Sequence, residues 1–260
     1  MLNEKWNNFK QAYYLRSVGY RGGKFLIFNR KHEGVTRYLD KAIENLRREK
    51  DKIIFCDAGC GNGIYLKYLS DNYKNIELYG FDFSEEIVKI AIGNTGILNI
   101  KEGNLEEIPF EDGKFDIILC TQVIEHLLDD KKGIMELHRV LKKGGYLIIS
   151  TDNKHNIVSK LLNFPGAVML FIYRTIKSIF YRKNNKYFPH KSYSVKEFKE
   201  LVGSSKFKIE EMSTFRFSAP FPFYKLRFAR DIMDFLEKIA IRTNFFKRNG
   251  DIIICLCRKE

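Results

Sequence analysis

The segment Asp57-Ala58-Gly59-Cys60-Gly61-Asn62-Gly63 sets one acid and three glycines directly after the apolar run Ile53-Ile54-Phe55-Cys56 and before a helical pattern. Glycines at a strand-to-helix turn let a bound molecule lie against the backbone and tolerate positive φ angles. A dinucleotide fingerprint reads G-x-G-x-x-G and aims backbone amides at a pyrophosphate. This chain reads G-x-G-x-G, with Asp57 two positions before the first glycine. That acid repels an anion and holds an ammonium group, so the ligand expected here carries a cation. A glycine-rich turn with no ligand is the alternative, and the neighbouring segments weigh against it.

A second apolar run, Ile76 to Phe81, ends at Asp82, 19 residues after Gly63. That spacing suits an acid accepting from a ribose, whose two hydroxyls match the two carboxylate oxygens. Phe83 follows and is placed to pack on a base. Asp82 could instead cap the next helix, but Ser84 directly precedes Glu85 to Ile92 and fits that role better. A third run, Leu98 to Glu102, leads to Gly103-Asn104-Leu105. A fourth, Ile117 to Cys120, delivers Thr121, Gln122, Val123, Ile124, Glu125 and His126 to the edge of the sheet where open α/β proteins bind ligands.

In residues and spacing, the first turn resembles motif I of the class I S-adenosylmethionine-dependent methyltransferases, a broad family that includes ubiquinone and menaquinone biosynthesis enzymes. The resemblance covers roughly residues 50–152, 190–214 and 250–260. It implies S-adenosyl-L-methionine as cofactor, with Asp57, Gly59, Cys60, Gly61, Gly63, Asp82, Phe83, Asn104, Leu105 and Gln122 as binding residues. Asn104 stands where the family usually has Asp at the adenine edge. Its carbonyl still accepts from an amino group, without charge assistance. Gln122-Val123-Ile124-Glu125-His126 is similar to the Glu-x-x-Glu-His sequence of metal-assisted methyltransferases. Gln122 replaces the first Glu and removes an anionic ligand, so no metal is expected.

Positioning these residues requires strands near 53–57, 76–81, 98–102, 115–120 and 145–151 with helices between them, including one over 131–141 ended by Lys142-Lys143-Gly144-Gly145. Such alternation predicts a parallel sheet covered on both faces. Ser194-Val195-Lys196-Glu197 is a capping box for a helix that stops at Gly203, and Phe207 to Met212 and Asp251 to Cys257 supply two more strands. The fold expected is α/β: a Rossmann-like, seven-stranded, mostly parallel sheet whose last strand runs antiparallel between the fifth and sixth, as the resemblance implies. A single domain over 1–260 is expected, with a helical cap over 1–50 and insertions over 154–193 and 215–250 forming a lid at the C-terminal edge.

Charge is concentrated in that lid. The net charge is +13, and residues 154–248 hold 20 Lys or Arg against 7 Asp or Glu, while the remainder holds 25 of each. The apolar run Phe164 to Tyr173 is only 10 residues long, against roughly 20 for a bilayer span. Val168, Phe171, Ile172, Ile176, Ile179 and Phe180 share a helical face, and Phe228, Ile232, Phe235, Leu236 and Ile239 form a second stripe. Two amphipathic helices packed on the domain explain them, as does a lid lying against anionic lipid. RNA competes for so basic a surface, but no RNA-binding module is present and the aromatic residues follow helical stripes. A polar N-terminal segment and five cysteines beside core strands, with no CxxC pair, point to a reducing cytoplasmic setting, and the basic lid adds an expected peripheral contact at the inner membrane face.

The function expected is methyl transfer to a small hydrophobic or lipid-like acceptor. RNA is the alternative acceptor, and a non-catalytic cofactor-binding scaffold is the alternative of another class. His126 is the candidate general base for a hydroxyl acceptor, because it follows the fourth strand and imidazole titrates near neutrality. The competing reading gives Glu125 and His126 a structural role at the start of the next helix.

Overall fold

The computed structural model describes residues 30–155, 190–215 and 250–260. Its elements run α1 (Arg30–Arg47), β1 (Ile53–Ala58), α2 (Ile64–Asn72), β2 (Ile76–Asp82), α3 (Glu85–Thr95), β3 (Ile100–Glu102), β4 (Phe115–Thr121), a 3-10 turn (Ile124–His126), α4 (Asp130–Val140), β5 (Leu141–Asp152), α5 (Val195–Gly203), β6 (Phe207–Phe215) and β7 (Ile252–Lys259). The strands form one seven-stranded sheet in the order β3-β2-β1-β4-β5-β7-β6. The first five pair in parallel, and β7 runs antiparallel to both β5 and β6.

Central strands are apolar on both sides because both faces are covered. In β4, Ile118 and Cys120 enter one core while Ile117 and Leu119 enter the other. The first core packs Ile134 and Leu137 of α4 with Phe198 and Val202 of α5. The second packs Leu39 and Ile43 of α1, Leu66 and Leu69 of α2 and Val88 of α3. Cys255 and Cys257 share the first face with Ile253, and all five cysteines are free and buried. Among the described residues, no helix is long and apolar enough to cross a membrane.

Strand boundaries differ from the sequence expectation at β3 and β5. β3 begins at Ile100 rather than Leu98, whose side chain is 81% exposed at the sheet edge. The sequence Lys142-Lys143-Gly144-Gly145 does not precede β5 but bulges out of its start. Leu141 pairs with Phe115, Tyr146 pairs with Ile117, and Gly144 takes up the slack at φ +75°. After β4 the chain forms a single 3-10 turn, and α4 starts only at Asp130, where the Asp129 side chain accepts the Lys132 amide.

The ends of both insertions are clasped at the C-terminal edge of the parallel strands. The Lys154 amide donates to the Tyr193 carbonyl (2.9 Å) and the Tyr193 amide to Asp152 (3.1 Å), which brings the two ends of the first insertion together. The Gly250 amide does the same for the second by donating to Thr214 Oγ1 (2.8 Å), and Asn153 ties that end to the first insertion, its amide donating to the Asp251 carbonyl (2.8 Å) and its side-chain nitrogen to the Gly250 carbonyl (2.8 Å). The proposed lid helices, including Phe171, Ile172 and Phe180, lie outside the described residues, as does 1–29 of the expected N-terminal cap.

Candidate active site

Strand order reverses between β1 and β4, and that switch point opens a crevice beyond the strand ends. Asp57 reaches it from β1. Its side chain is buried and, among the described residues, neither carboxylate oxygen has a hydrogen-bond partner. Burial in the first place, and the Asp82 charge in the second, push its carboxyl up to about 8. Tyr65, the first buried residue of α2, is pushed upward as well, by burial and then by Asp57. An uncompensated buried acid is costly and marks a place where a cation would be welcome.

The three glycines of the turn all have positive φ, but their surroundings differ. A Cβ at Gly59 would stand 2.4 Å from Val123, and one at Gly63 would stand 2.7 Å from Thr95. Those two positions need glycine for packing as well as conformation. A Cβ at Gly61 would meet nothing within 4 Å. Gly61 thus borders open space beside the orphaned Asp57, as a ligand cradle requires. Cys60 turns the other way: its thiol is buried against Gly80, which leaves only its backbone for a ligand.

Asp82, at the end of β2, is also buried, and it braces the turn. The Gly61 amide donates to Oδ2 (2.9 Å) and the Ser84 amide to Oδ1 (3.3 Å). Each oxygen retains accepting capacity toward a diol. Phe83, half-buried, follows it. Asn104 folds its side-chain carbonyl back onto the Glu106 amide (2.9 Å) in an Asx turn, which sets the course of the loop past buried Leu105. Glu106 in turn accepts the Leu128 and Asp129 amides (2.8 and 3.1 Å), tying this loop to the one after β4. Arg139 of α4 completes the frame by donating to the Ile108 and Phe110 carbonyls (both 2.9 Å) and pairing with Glu136 and Asp112. Neither Glu106 nor Arg139 stands out in the sequence, because each acts through a contact between distant segments.

Beyond β4, Gln122 adopts φ +57°, and its buried side-chain nitrogen has no hydrogen-bond partner among the described residues. Glu125 is buried and accepts from Thr151 Oγ1 (3.0 Å), while its carbonyl accepts the Lys191 amide (2.8 Å). Burial pushes its carboxyl up to about 7, with Asp152 contributing. His126, half-buried, stacks on His190 with ring centroids 5.1 Å apart and planes at 28°. His190 Nε2 lies 3.3 Å from Asp152 Oδ2. The sequence reading identified His126 but missed His190 and Asp152. Among the described residues, no group of three His, Cys, Asp or Glu side chains is arranged to hold a metal ion.

The described geometry thus defines a doubly wound α/β domain with a cation-seeking acid above a glycine turn, a braced second acid, and imidazoles at the same edge. Residues 56–149 match the family described as a methyltransferase domain. Over 98 residues the chain is 35% identical to a probable S-adenosylmethionine-dependent methyltransferase of Mycolicibacterium smegmatis, covering 38% of this chain and 37% of that protein. It is 32% identical over 100 residues to a ubiquinone/menaquinone biosynthesis C-methyltransferase of a Geobacter species, covering 36% of this chain and 43% of that protein. The chain therefore spans less than half the length of these two relatives. The structure of an S-adenosylmethionine-dependent methyltransferase from Mesorhizobium loti shares the fold, with a TM-score of 0.57 at 14% identity over 89% of this chain and 99% of that one. Residues 56–149 are thus similar to the methyltransferase domains of enzymes named as S-adenosylmethionine-dependent.

Proposed function

We propose that the protein transfers the methyl group of S-adenosylmethionine to a small hydrophobic or lipid-like acceptor, in peripheral contact with an anionic membrane on the cytoplasmic side. The observation that carries the cofactor half of this reading is Asp57: a buried carboxylate with both oxygens unpartnered, next to a glycine with open space before it. The residues fit the cofactor. Asp57 suits its ammonium, Asp82 its ribose hydroxyls, Leu105 and the Asn104 turn its adenine edge, and Gln122 has an amide nitrogen to give.

When bound, the cofactor supplies a methyl group already activated on a sulfonium. The chain's own residues must then align the acceptor, exclude water and take a proton if the acceptor is a hydroxyl. His126 serves as that base. Its imidazole would accept the acceptor's hydroxyl proton, while the bound cofactor would supply the methyl group and retain the carbon-sulfur electron pair. The basic, apolar composition of residues 154–248 supports the lipid-like acceptor.

Calorimetry with S-adenosylmethionine followed by labelled methyl transfer into separated lipid and RNA fractions tests this reading. Label in the organic fraction is the expected result. Label confined to RNA would replace the acceptor class, and cofactor binding without any turnover would favour a scaffold.

A further inference from the structure

A buried tyrosine ordinarily hydrogen-bonds through its hydroxyl, and Tyr65 is an exception. It follows the glycine turn directly, at the start of α2, where it is buried together with Leu66 and Leu69 and reads as helix packing. Its ring does pack: the residue is 5% exposed, and the His32 imidazole of α1 lies against it with centroids 5.6 Å apart and planes at 60°. Its hydroxyl is buried without a hydrogen-bond partner among the described residues. Burial and then the Asp57 charge push that hydroxyl upward, while Thr121 at the end of β4 works the other way. Both groups are therefore near, yet neither makes a hydrogen bond of ordinary length and angle with it.

Three side chains at the switch point thus hold orphaned polar atoms among the described residues: both oxygens of Asp57, the hydroxyl of Tyr65, and the amide nitrogen of Gln122, which follows Thr121. Their chemistry is complementary. Ionised Asp57 can only accept and the Gln122 nitrogen can only donate, while a phenol this reluctant to ionise keeps its proton and can donate it. An amino-acid head presents the matching set, an ammonium that donates and a carboxylate that accepts. Unpaired, these atoms destabilise the folded domain, and a ligand of that polarity relieves them together.

We propose that Tyr65 is a further cofactor-binding residue, whose hydroxyl donates, beside the Gln122 amide, to the carboxylate of the cofactor's amino-acid head while Asp57 holds the ammonium. This inference rests on the reading of the protein as an S-adenosylmethionine-dependent methyltransferase, and it assigns a residue to the negative end of the ligand. The close packing of the ring under α1 fixes the hydroxyl before the ligand arrives, so little side-chain freedom is lost on binding. A tyrosine kept only for packing would gain nothing from a buried hydroxyl, since phenylalanine fills the same space.

Tyr65→Phe removes the hydroxyl and keeps the ring, and its two expected consequences have opposite signs. The cofactor-free variant should unfold at the same temperature as wild type or higher, because an unsatisfied group is removed and no hydrogen bond is lost. Calorimetry should show weaker binding of S-adenosylhomocysteine, which carries the whole amino-acid head, by about tenfold to a hundredfold, the range for one hydrogen bond to a charged group. Two further probes locate the contact. Methylthioadenosine lacks the head, decarboxylated S-adenosylmethionine keeps the ammonium and lacks the carboxylate, and the affinity of each should be the same for variant and wild type. Unchanged S-adenosylhomocysteine affinity in Tyr65→Phe overturns the proposal. A lower unfolding temperature overturns it as well, because the hydroxyl then has a partner inside the protein. Equal weakening of the decarboxylated ligand overturns the assignment to the carboxylate. Wild-type protein that binds none of the three probes removes the cofactor reading itself, a result separate from any comparison with the variant.

Discussion

Asp57 gives the sharpest quantitative expectation. With its carboxyl pushed up to about 8 by burial and by Asp82, the cofactor-free protein at pH 7 carries a proton there in about nine molecules of ten. A cationic ligand selects the ionised form, so binding must expel that proton. Affinity should therefore rise about tenfold per pH unit below 8, equivalent to about 1.4 kcal/mol per unit, and about 0.9 proton should be released at pH 7. The ligand's own amino group titrates in the same region, so the comparison that isolates Asp57 is with Asp57→Asn, which retains the ligand's titration and lacks the protein's. Calorimetry in buffers of different ionisation enthalpy, between pH 6 and 7.5, reads the released proton directly. Wild type and Asp57→Asn should differ by about one proton, and the variant should bind more weakly at pH 8. Identical proton counts for the two proteins would refute the assignment of Asp57 as the cation's counter-charge. Stability gives an independent check with a fixed sign. The folded state holds a proton that the unfolded chain has lost between about pH 4 and 8, so the cofactor-free domain loses stability as pH rises through that window. Asp57→Asn abolishes this loss, and urea unfolding should show its advantage over wild type growing from pH 5 to pH 8.

Gly61→Val should reduce cofactor affinity by at least a hundredfold, with a stability cost of only about 1–2 kcal/mol from its φ of +54°, since its side chain meets open space. Gly59→Val should cost clearly more in thermal unfolding, because its Cβ collides with Val123. Arg139→Ala releases the Ile108 and Phe110 carbonyls and should destabilise the domain by about 1–3 kcal/mol in chemical denaturation while raising the cofactor Kd through the loosened 104–112 loop. Asp116 lies buried at the opposite end of β4. Burial works against its charge, but bonds from Lys50, the Ile54 amide and Lys142 outweigh it and hold its carboxyl below the ordinary range. Its contribution is present above the unfolded value of about 3.9 and fades as pH falls below it, so Asp116→Asn should flatten the acid limb of the stability profile measured by circular dichroism.

Local chemistry made much of this protein legible from sequence. Apolar runs that end at turn residues marked the strands, because a strand buried on both faces must be apolar throughout. The capping box at Ser194 located α5, and it forms as read, with the Glu197 amide donating to Ser194 Oγ and the Glu197 carboxylate accepting the Ser194 amide. The glycine turn was legible because three glycines after an acid constrain both backbone conformation and the charge of a ligand. Its internal division was not: only the packed structure shows that Gly59 and Gly63 are held by Val123 and Thr95, while Gly61 faces open space.

Tertiary structure alone decided how each acid is used. The sequence assigned Asp57 and Asp82 to different parts of a ligand, but only the structure shows that, among the described residues, one is left without a hydrogen-bond partner and the other braces the Gly61 amide. Asn104 spends its carbonyl on its own loop. The residues that sequence reasoning passed over, Glu106, Arg139, Asp152 and His190, share a physical reason. Their partners lie on other elements, and no spacing rule along the chain encodes a contact that exists only once β4, β5 and the segment leading into α5 have met at one edge of the sheet.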